Sequence, residues 1–165
     1  MKQNRSDHND YYDILQCTIG PLYLVFRSSL LISISFEKPH AVVPKQTKGS
    51  AAAKNELSEY FEQGRRDFSF KTALVEGTEF EKEVWESLKE IPYGETRTYK
   101  WIADKIGKPH ASRAVGNALG KNPIPIAFPC HRIIESDGSI GGYTPGVDIK
   151  RRLLEIEYYR RLAKT

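Results

Sequence analysis

Three prolines within seven residues, Pro123, Pro125 and Pro129, stiffen the segment Asn122-Pro123-Ile124-Pro125-Ile126-Ala127-Phe128-Pro129-Cys130-His131-Arg132. Proline lacks an amide hydrogen and fixes φ at about −65°, so neither a continuous helix nor a central strand can run through this stretch. It has to be a rigid apolar loop, and it ends by presenting Cys130, His131 and Arg132 in succession. A thiol reacts as its thiolate, and an adjacent imidazole or guanidinium favours that charged form. Cys130 is the candidate nucleophile, with a buried and chemically inert cysteine as the alternative from this segment alone.

The rest of the composition narrows the class. A chain of 165 residues can bury a core as one domain or as two small ones packed together. No run approaches the roughly 20 apolar residues of a membrane span. Met1 to Asp10 are polar, with no apolar signal core behind them. An intracellular protein is expected, cytoplasmic or, in a eukaryotic host, nuclear, with no membrane partner. The two cysteines, Cys17 and Cys130, lie far apart and form no Cys-x-x-Cys pair, so no structural metal and no cofactor are expected. The net charge of +4 says little about partners, but its distribution says more. From Arg97 to Arg132 seven basic residues stand against one acid, Asp104, while Glu76 to Glu95 is rich in glutamate. Positive charge gathers beside the candidate nucleophile.

Hydrophobic patterning divides the chain near residue 75. Tyr11 to Phe36 is rich in aromatic and branched residues, broken at Gly20-Pro21 and Arg27-Ser28-Ser29, and reads as two or three antiparallel strands. Ser50 to Glu62 has helical spacing closed by Gly64, and Arg65 to Val75 alternates as a strand would, with Phe68, Phe70 and Ala73 on one side. The first nine residues are expected to be disordered. Beyond Glu76-Gly77, Thr78 and Glu81 form a capping-box signature for a helix that places Phe80, Val84, Trp85 and Leu88 on one face. Thr98 to Ile106 and about His110 to Leu119 are two short helices separated by Gly107-Lys108-Pro109, the outline of a helix-turn-helix. A last helix, Val147 to Arg161, is expected to turn Ile149, Leu153, Leu154, Ile156 and Tyr159 inward. The fold class is α+β: a small N-terminal domain resembling an α/β roll with an antiparallel sheet, residues 1–75, then a mostly helical domain, residues 76–165, containing the helix-turn-helix.

The second of those short helices is built of small residues, Ala111, Ala114, Gly116 and Ala118. Gly116 costs about 1 kcal/mol of helix stability relative to alanine. Either close packing inside the protein or close approach to an outside backbone explains so slim a helix, and Arg113 on it could enter a base stack or contact phosphate.

Taken together, Phe80-x4-Trp85, Ile91-Pro92-x-Gly94, Thr98-Tyr99, Arg113-Ala114-Val115-Gly116-x-Ala118, Asn122-Pro123, Pro129-Cys130-His131-Arg132, Gly141-Gly142-Tyr143, Lys150 and Leu153-Leu154-x-x-Glu157 resemble the O6-alkylguanine-DNA alkyltransferases in order and spacing. The resemblance covers Thr78 to Glu157; the first half resembles the family only in size and strand content. It implies repair of double-stranded DNA by irreversible, stoichiometric transfer of an alkyl group from O6-alkylguanine to Cys130, with O4-alkylthymine as a second candidate substrate. It further implies that His131 acts as base through a bridging water, that Glu157 orients His131, and that Asn122 holds the turn between helix and active-site loop. Tyr99 would pair with the flipped base and help to protonate the leaving guanine. Arg113 would fill the space vacated in the duplex, with Ala114, Gly116 and Lys121 beside it on a minor-groove helix. Tyr143, Thr144 and Lys150 would line the base pocket. The zinc ligands of some family members have no counterpart in Cys17, His8 and His40.

The chemistry agrees with the resemblance. Breaking an alkyl–oxygen bond at saturated carbon calls for a soft in-line nucleophile, guanine leaves more readily when protonated, and the target carbon is hidden inside the duplex. A thioether product has no route back to thiol, so each protein should act once. A monomer is expected. Two rival readings remain at this level: a lesion sensor that binds without reacting, and a cysteine hydrolase using Cys130 and His131.

Overall fold

In the computed structural model, which describes residues 9–164, the N-terminal half is a four-stranded sheet covered by one long helix. Strands β1 (Tyr11–Cys17), β2 (Gly20–Arg27) and β3 (Leu30–Ser35) form an antiparallel meander, and the short β4 (Val43–Pro44) pairs in parallel with the free edge of β1. Each hairpin closes over two residues, with Gly20 at φ 105° after the first and Ser28 at φ 55° within the second. Alternation sends Leu15, Leu22, Leu24, Phe26 and Leu31 to one face. There they meet Ala53, Leu57, Tyr60 and Phe61 of helix α1 (Lys48–Gln63) in the main core. Thr47 and Ser50 cap α1 reciprocally, and Gly64 ends it in the left-handed region. The expected disorder of the first residues falls, for residues 1–8, outside the described residues.

Arg65 to Val75 is not a strand. Leu31 and Thr72 form a single bridge, flanked by Leu31 N donating to Lys71 O and Ala73 N donating to Leu31 O. Both the Ser69 amide and its hydroxyl instead donate to the Glu56 carboxylate, which ties the segment to α1 rather than to the sheet edge. Phe68 and Phe70 stack on one another at 4.9 Å against the main core, while Ala73 packs on the opposite face of the sheet with Tyr12, Val25 and Ile32. The three do not share one side.

The second half is helical. Helix α2 (Glu79–Leu88) starts with the Thr78–Glu81 capping box and buries Val84, Trp85 and Leu88. A two-residue strand β5 (Arg97–Thr98) leads into α3 (Tyr99–Lys105), whose first turn is capped by the Thr98 hydroxyl. Gly107 at φ 72° turns the chain toward α4 (Ser112–Leu119), completing the helix-turn-helix. Trp85 Nε1 donates to the Ala118 carbonyl at 2.8 Å and so fastens α4 to α2. The proline loop ends in one 3-10 turn, Cys130–Arg132, and β6 (Ile133–Ile134) then pairs in parallel with β5.

Helix α5 (Val147–Ala163) closes the fold with an unusual inner face. Lys150, Leu153 and Glu157, spaced three and four apart, are the buried residues, whereas Tyr159 is 66% exposed rather than inward. Ile149, Leu154 and Ile156 are half-buried at the margins of this stripe. An apolar periodicity could not reveal a face whose centre is a lysine and a glutamate. One continuous core joins Leu57 and Tyr60 to Trp85, Ile126, Phe128 and Leu153 across both halves. Among the described residues no helix is long and apolar enough to cross a membrane.

Candidate active site

Asn122 shapes the loop that carries the cysteine. Its Oδ1 accepts from the Ile124 amide at 3.0 Å and its Nδ2 donates to the Phe128 carbonyl at 2.8 Å, bridging the two ends of the proline segment. Between them Ile126 is held at φ 75°, a state that a β-branched residue keeps only where its surroundings fix it, and Ile124, Ile126 and Phe128 are all buried. Pro129, at φ −79° and ψ 67°, makes an inverse γ-turn, closed by Cys130 N donating to Phe128 O at 2.8 Å. The chain thus enters the 3-10 turn with a fixed direction. In such a turn successive side chains diverge by about 120°, so Cys130, His131 and Arg132 face different surroundings.

His131 and Arg132 converge on Glu157. His131 Nε2 lies 2.7 Å from Glu157 Oε1, and Arg132 reaches Oε2 through Nε at 2.9 Å and Oε1 through Nη2 at 2.9 Å. Arg132 Nη1 also donates to the Ile91 carbonyl at 2.7 Å, and the Gly94 amide donates to Oε2 at 3.1 Å. Tyr60, from α1, adds its hydroxyl to Oε1 at 2.7 Å. Burial alone would raise the Glu157 carboxyl, but His131 and Arg132 outweigh it and hold the group well below the ordinary carboxylate range. A carboxylate can only accept, so the imidazole proton sits on Nε2 and the lone pair on Nδ1. Nδ1 is buried and makes no hydrogen bond to the protein. Burial, with help from Arg132 and Lys150, holds His131 below its usual pKa against the pull of Glu157, so it rests as a neutral base.

Cys130 is 7% exposed, and burial pushes its thiol up; the Asn122 amide, the Lys150 charge and Tyr143 pull it down without cancelling that effect. The expectation of a resting thiol acidified by its neighbours is therefore corrected. Arg132 is committed to Glu157 and Ile91, and the thiol needs a base at the moment of reaction. The Tyr143 hydroxyl acts on Cys130 electrostatically, and it is buried with no hydrogen-bond partner in the protein.

Two cavities are lined in part by Cys130. One, of about 340 Å³, is lined by Tyr99, Gly116, Leu119, Cys130, Tyr143 and Thr144; the other, of about 420 Å³, opens on the flank between the end of β3 and Pro123, Pro125 and Tyr143. A larger cleft, about 560 Å³ between Arg66–Phe70 and the Ile91–Tyr93 turn, does not reach Cys130, so size alone does not mark the site. Tyr99 stands at the start of α3, half-buried, its hydroxyl over Gly141, where an added Cβ would lie 3.3 Å away. Burial and the Glu135 carboxylate keep its phenol protonated above the ordinary range, a donor rather than an acceptor. Thr144 Oγ1 donates to the Gly120 carbonyl at 3.1 Å, joining the loop after β6 to the end of α4.

Lys150 is not on the wall of either cavity. It is 1% exposed, and its ammonium donates to Ile133 O at 2.6 Å and Gly142 O at 3.0 Å, clamping β6 to the glycine loop behind the cysteine. Arg113 and Ala114 are exposed on α4, and Arg113 borders a surface pocket with Tyr99, Ser112 and Gly116. A Cβ on Gly116 would meet Tyr99 Cε1 at 3.7 Å, an ordinary contact, so packing within the protein does not demand glycine there. Lys121 pairs with Glu81 at 3.1 Å, as Lys108 does with Glu83 and Lys105 with Glu90. The positive charge seen in the sequence is thus partly offset by the glutamates of α2 and the turn after it, in exposed pairs worth only about 0–1 kcal/mol each. Tyr60, Arg132 and the Gly94 amide complete the Glu157 site; the sequence pointed to Arg132 as a neighbour of the thiol rather than a partner of Glu157, and gave Tyr60 and the Gly94 amide no role. Tyr60 has the spacing of any core aromatic on α1, and a backbone amide leaves no trace in a sequence.

Known proteins resemble this chain in both sequence and fold. A family profile described as the 6-O-methylguanine DNA methyltransferase DNA-binding domain matches residues 79–159. A methylated-DNA–protein-cysteine methyltransferase from Methanosarcina barkeri is 47% identical over 153 residues, covering 89% of this chain and 96% of that protein. One of the same name from Mycobacterium bovis is 40% identical, covering 91% and 93%. The crystal structure of Mycobacterium tuberculosis OGT in complex with DNA superposes with a TM-score of 0.85 at 42% identity, over 91% of this chain and 94% of that one.

Proposed function

The chain belongs to the methylated-DNA–protein-cysteine methyltransferase family, and from that premise we propose how its residues carry out the repair of O6-alkylguanine in DNA by alkyl transfer. The observation that carries the reading is the arrangement around Cys130: a buried thiol at a cavity bounded by Tyr99 and Tyr143, next in sequence to a histidine whose Nδ1 is left as a free base by its bond to Glu157. Residues 76–165 form the DNA-binding and alkyl-acceptor half, and residues 1–75 support it.

In this mechanism α4 lies in the minor groove, with Gly116 and Ala114 allowing close approach and Lys121 exchanging Glu81 for phosphate. The target guanine rotates out of the stack and Arg113 occupies its place, a cost of a few kcal/mol that duplex contacts offset. The base enters the cavity between Tyr99 and Tyr143, beside Thr144. His131 Nδ1 takes the thiol proton through a water, and the sulfur attacks the alkyl carbon in line with the carbon–O6 bond. That bond breaks, its electron pair passes into guanine, and the Tyr99 phenol donates toward the departing base. Cys130 keeps the alkyl group as a thioether. With no activated water and no good leaving group, the protein turns over once. Asn122 keeps the loop in register, and Lys150 supports the wall from behind. In this reading the acceptor works as a monomer, in the cytoplasm or, in a eukaryotic host, the nucleus, with O4-alkylthymine as a second candidate substrate.

Replacing Cys130 by alanine separates the readings. The reading expects Cys130→Ala to bind lesion duplex as the parent does while removing no alkyl group; a variant that restored lesion repair in cells to parental levels would point to a sensor. Steady turnover of an ester substrate by the parent protein would point to a hydrolase.

A further inference from the structure

Tyr60 lies in α1, distant in sequence from every residue so far given a role, yet its hydroxyl ends inside the catalytic network. It is 1% exposed and sits 2.7 Å from Glu157 Oε1, the same oxygen that His131 Nε2 approaches at 2.7 Å, and 3.5 Å from that nitrogen itself. Its ring is held by edge-on contacts with Phe61 and Tyr93, at 5.1 and 5.9 Å between centroids, and by Phe68 at 5.9 Å. The hydroxyl therefore has little freedom to turn away.

We propose that Tyr60 is a positioning residue for alkyl transfer, its hydroxyl sharing Glu157 Oε1 with His131 so that the imidazole is held with its proton on Nε2 and its Nδ1 free to take the thiol proton through a water. The inference rests on the alkyl-transfer reading above and deepens it by giving the N-terminal half a part in the chemistry. Glu157 is a carboxylate and can only accept, so Tyr60 must donate. Burial and the Glu157 charge keep the phenol protonated far above its usual range, so it donates at every working pH. A donor on Oε1 withdraws charge from the atom that would otherwise stabilise an imidazolium, and so lowers the basicity of His131.

The other groups facing His131 set the balance on which Tyr60 acts. From α5 come the Glu157 carboxylate and the Lys150 ammonium, and from the same 3-10 turn the Arg132 guanidinium. From α1 comes Tyr60, whose own surroundings add Tyr93. Arg132 and Lys150 disfavour a second positive charge and Glu157 favours it. Tyr60 weakens the one attraction, leaving His131 uncharged and its Nδ1 able to receive a proton.

The test is the pH dependence of single-turnover methyl transfer from an O6-methylguanine duplex, read beside the His131 titration followed by NMR in the unreacted protein. Tyr60→Phe should move both the acid limb of the rate and the His131 titration upward by about one pH unit. Site-specific fluorotyrosine at position 60, a stronger donor of nearly the same shape, should move both downward. Should Tyr60→Phe fail to fold, the fluorotyrosine arm decides. Unmoved limbs and an unmoved titration in a folded variant would overturn the inference and leave Tyr60 a packing residue. If the parent protein transfers no methyl group, the alkyl-transfer reading fails, a result distinct from parental transfer with an unmoved variant.

Discussion

Glu157 Oε1 and His131 Nε2 lie 2.7 Å apart with both side chains at or below 1% exposure, and that contact fixes which imidazole nitrogen carries the proton. An amide in place of the carboxylate can present a donor to Nε2 and favour the opposite tautomer. Glu157→Gln should slow methyl transfer by a factor on the order of 10²–10⁴, the range of a lost general base. It should also cost about 3–5 kcal/mol of stability, because Arg132 is left as an uncompensated buried charge. Single-turnover rates and urea unfolding check the two effects separately.

Stability should form a plateau bounded on both sides. Glu157 and His131 are both held below their ordinary values in the fold, so on the acid side the unfolded chain binds more protons and stability rises with pH. Their contributions are intact above about pH 6.5 and are lost on acidification, first through His131 and then through Glu157 below about 4.3. Cys130, Tyr60 and Tyr93 have the opposite sign. Burial raises each of them, Tyr93 to about 12, so their contributions are lost as pH climbs past about 8.5 for the thiol and about 10 for the phenols. Thermal melts from pH 4 to pH 11 test this, and a protein methylated on Cys130 should lose the part of the alkaline slope due to the thiol.

Gly116→Ala should stabilise the free protein and impair it on DNA. The added methyl meets Tyr99 at ordinary contact distance, so helix propensity should yield about 0.5–1 kcal/mol in urea unfolding. The same methyl narrows the approach of α4 to the duplex and the cavity beside Cys130. Weaker binding of a lesion duplex at fixed salt, by fluorescence anisotropy, is the expected outcome; unchanged binding would assign the glycine to something other than DNA.

Arg113→Ala should discriminate between substrates. The side chain is exposed on α4, so the fold should be unaffected to within about 0.5 kcal/mol. If Arg113 fills the stack, the variant should react slowly with a lesion in duplex DNA and at the parental rate with free O6-methylguanine. Equal slowing on both would move its role into the base pocket.

The sequence made the helical half legible because its signals are local. Thr78 with Glu81 foretold a cap, Gly107 a turn, and the prolines a rigid loop delivering Cys130. It was less informative where partners come from afar. Alternation over Phe68 and Phe70 suggested a strand, but Glu56 on α1 captures Ser69 and leaves one bridge. On α5, Lys150 and Glu157 occupy the inner face that an apolar pattern assigns to leucines, and Tyr159 turns outward. The same effect governs the site. Cys130, His131 and Arg132 are adjacent in the chain, whereas Tyr60 reaches Glu157 from 97 residues away and the burial that raises the Cys130 thiol depends on the whole fold.

Intact-protein mass spectrometry after incubation with a duplex carrying one O6-methylguanine, followed by peptide mapping, tests the central claim most directly. The account predicts the mass of one added methyl group, on the peptide containing Cys130, saturating at one per protein however much lesion is supplied. An unchanged mass in a protein that demonstrably binds the lesion, or a methyl group on Cys17, would contradict it.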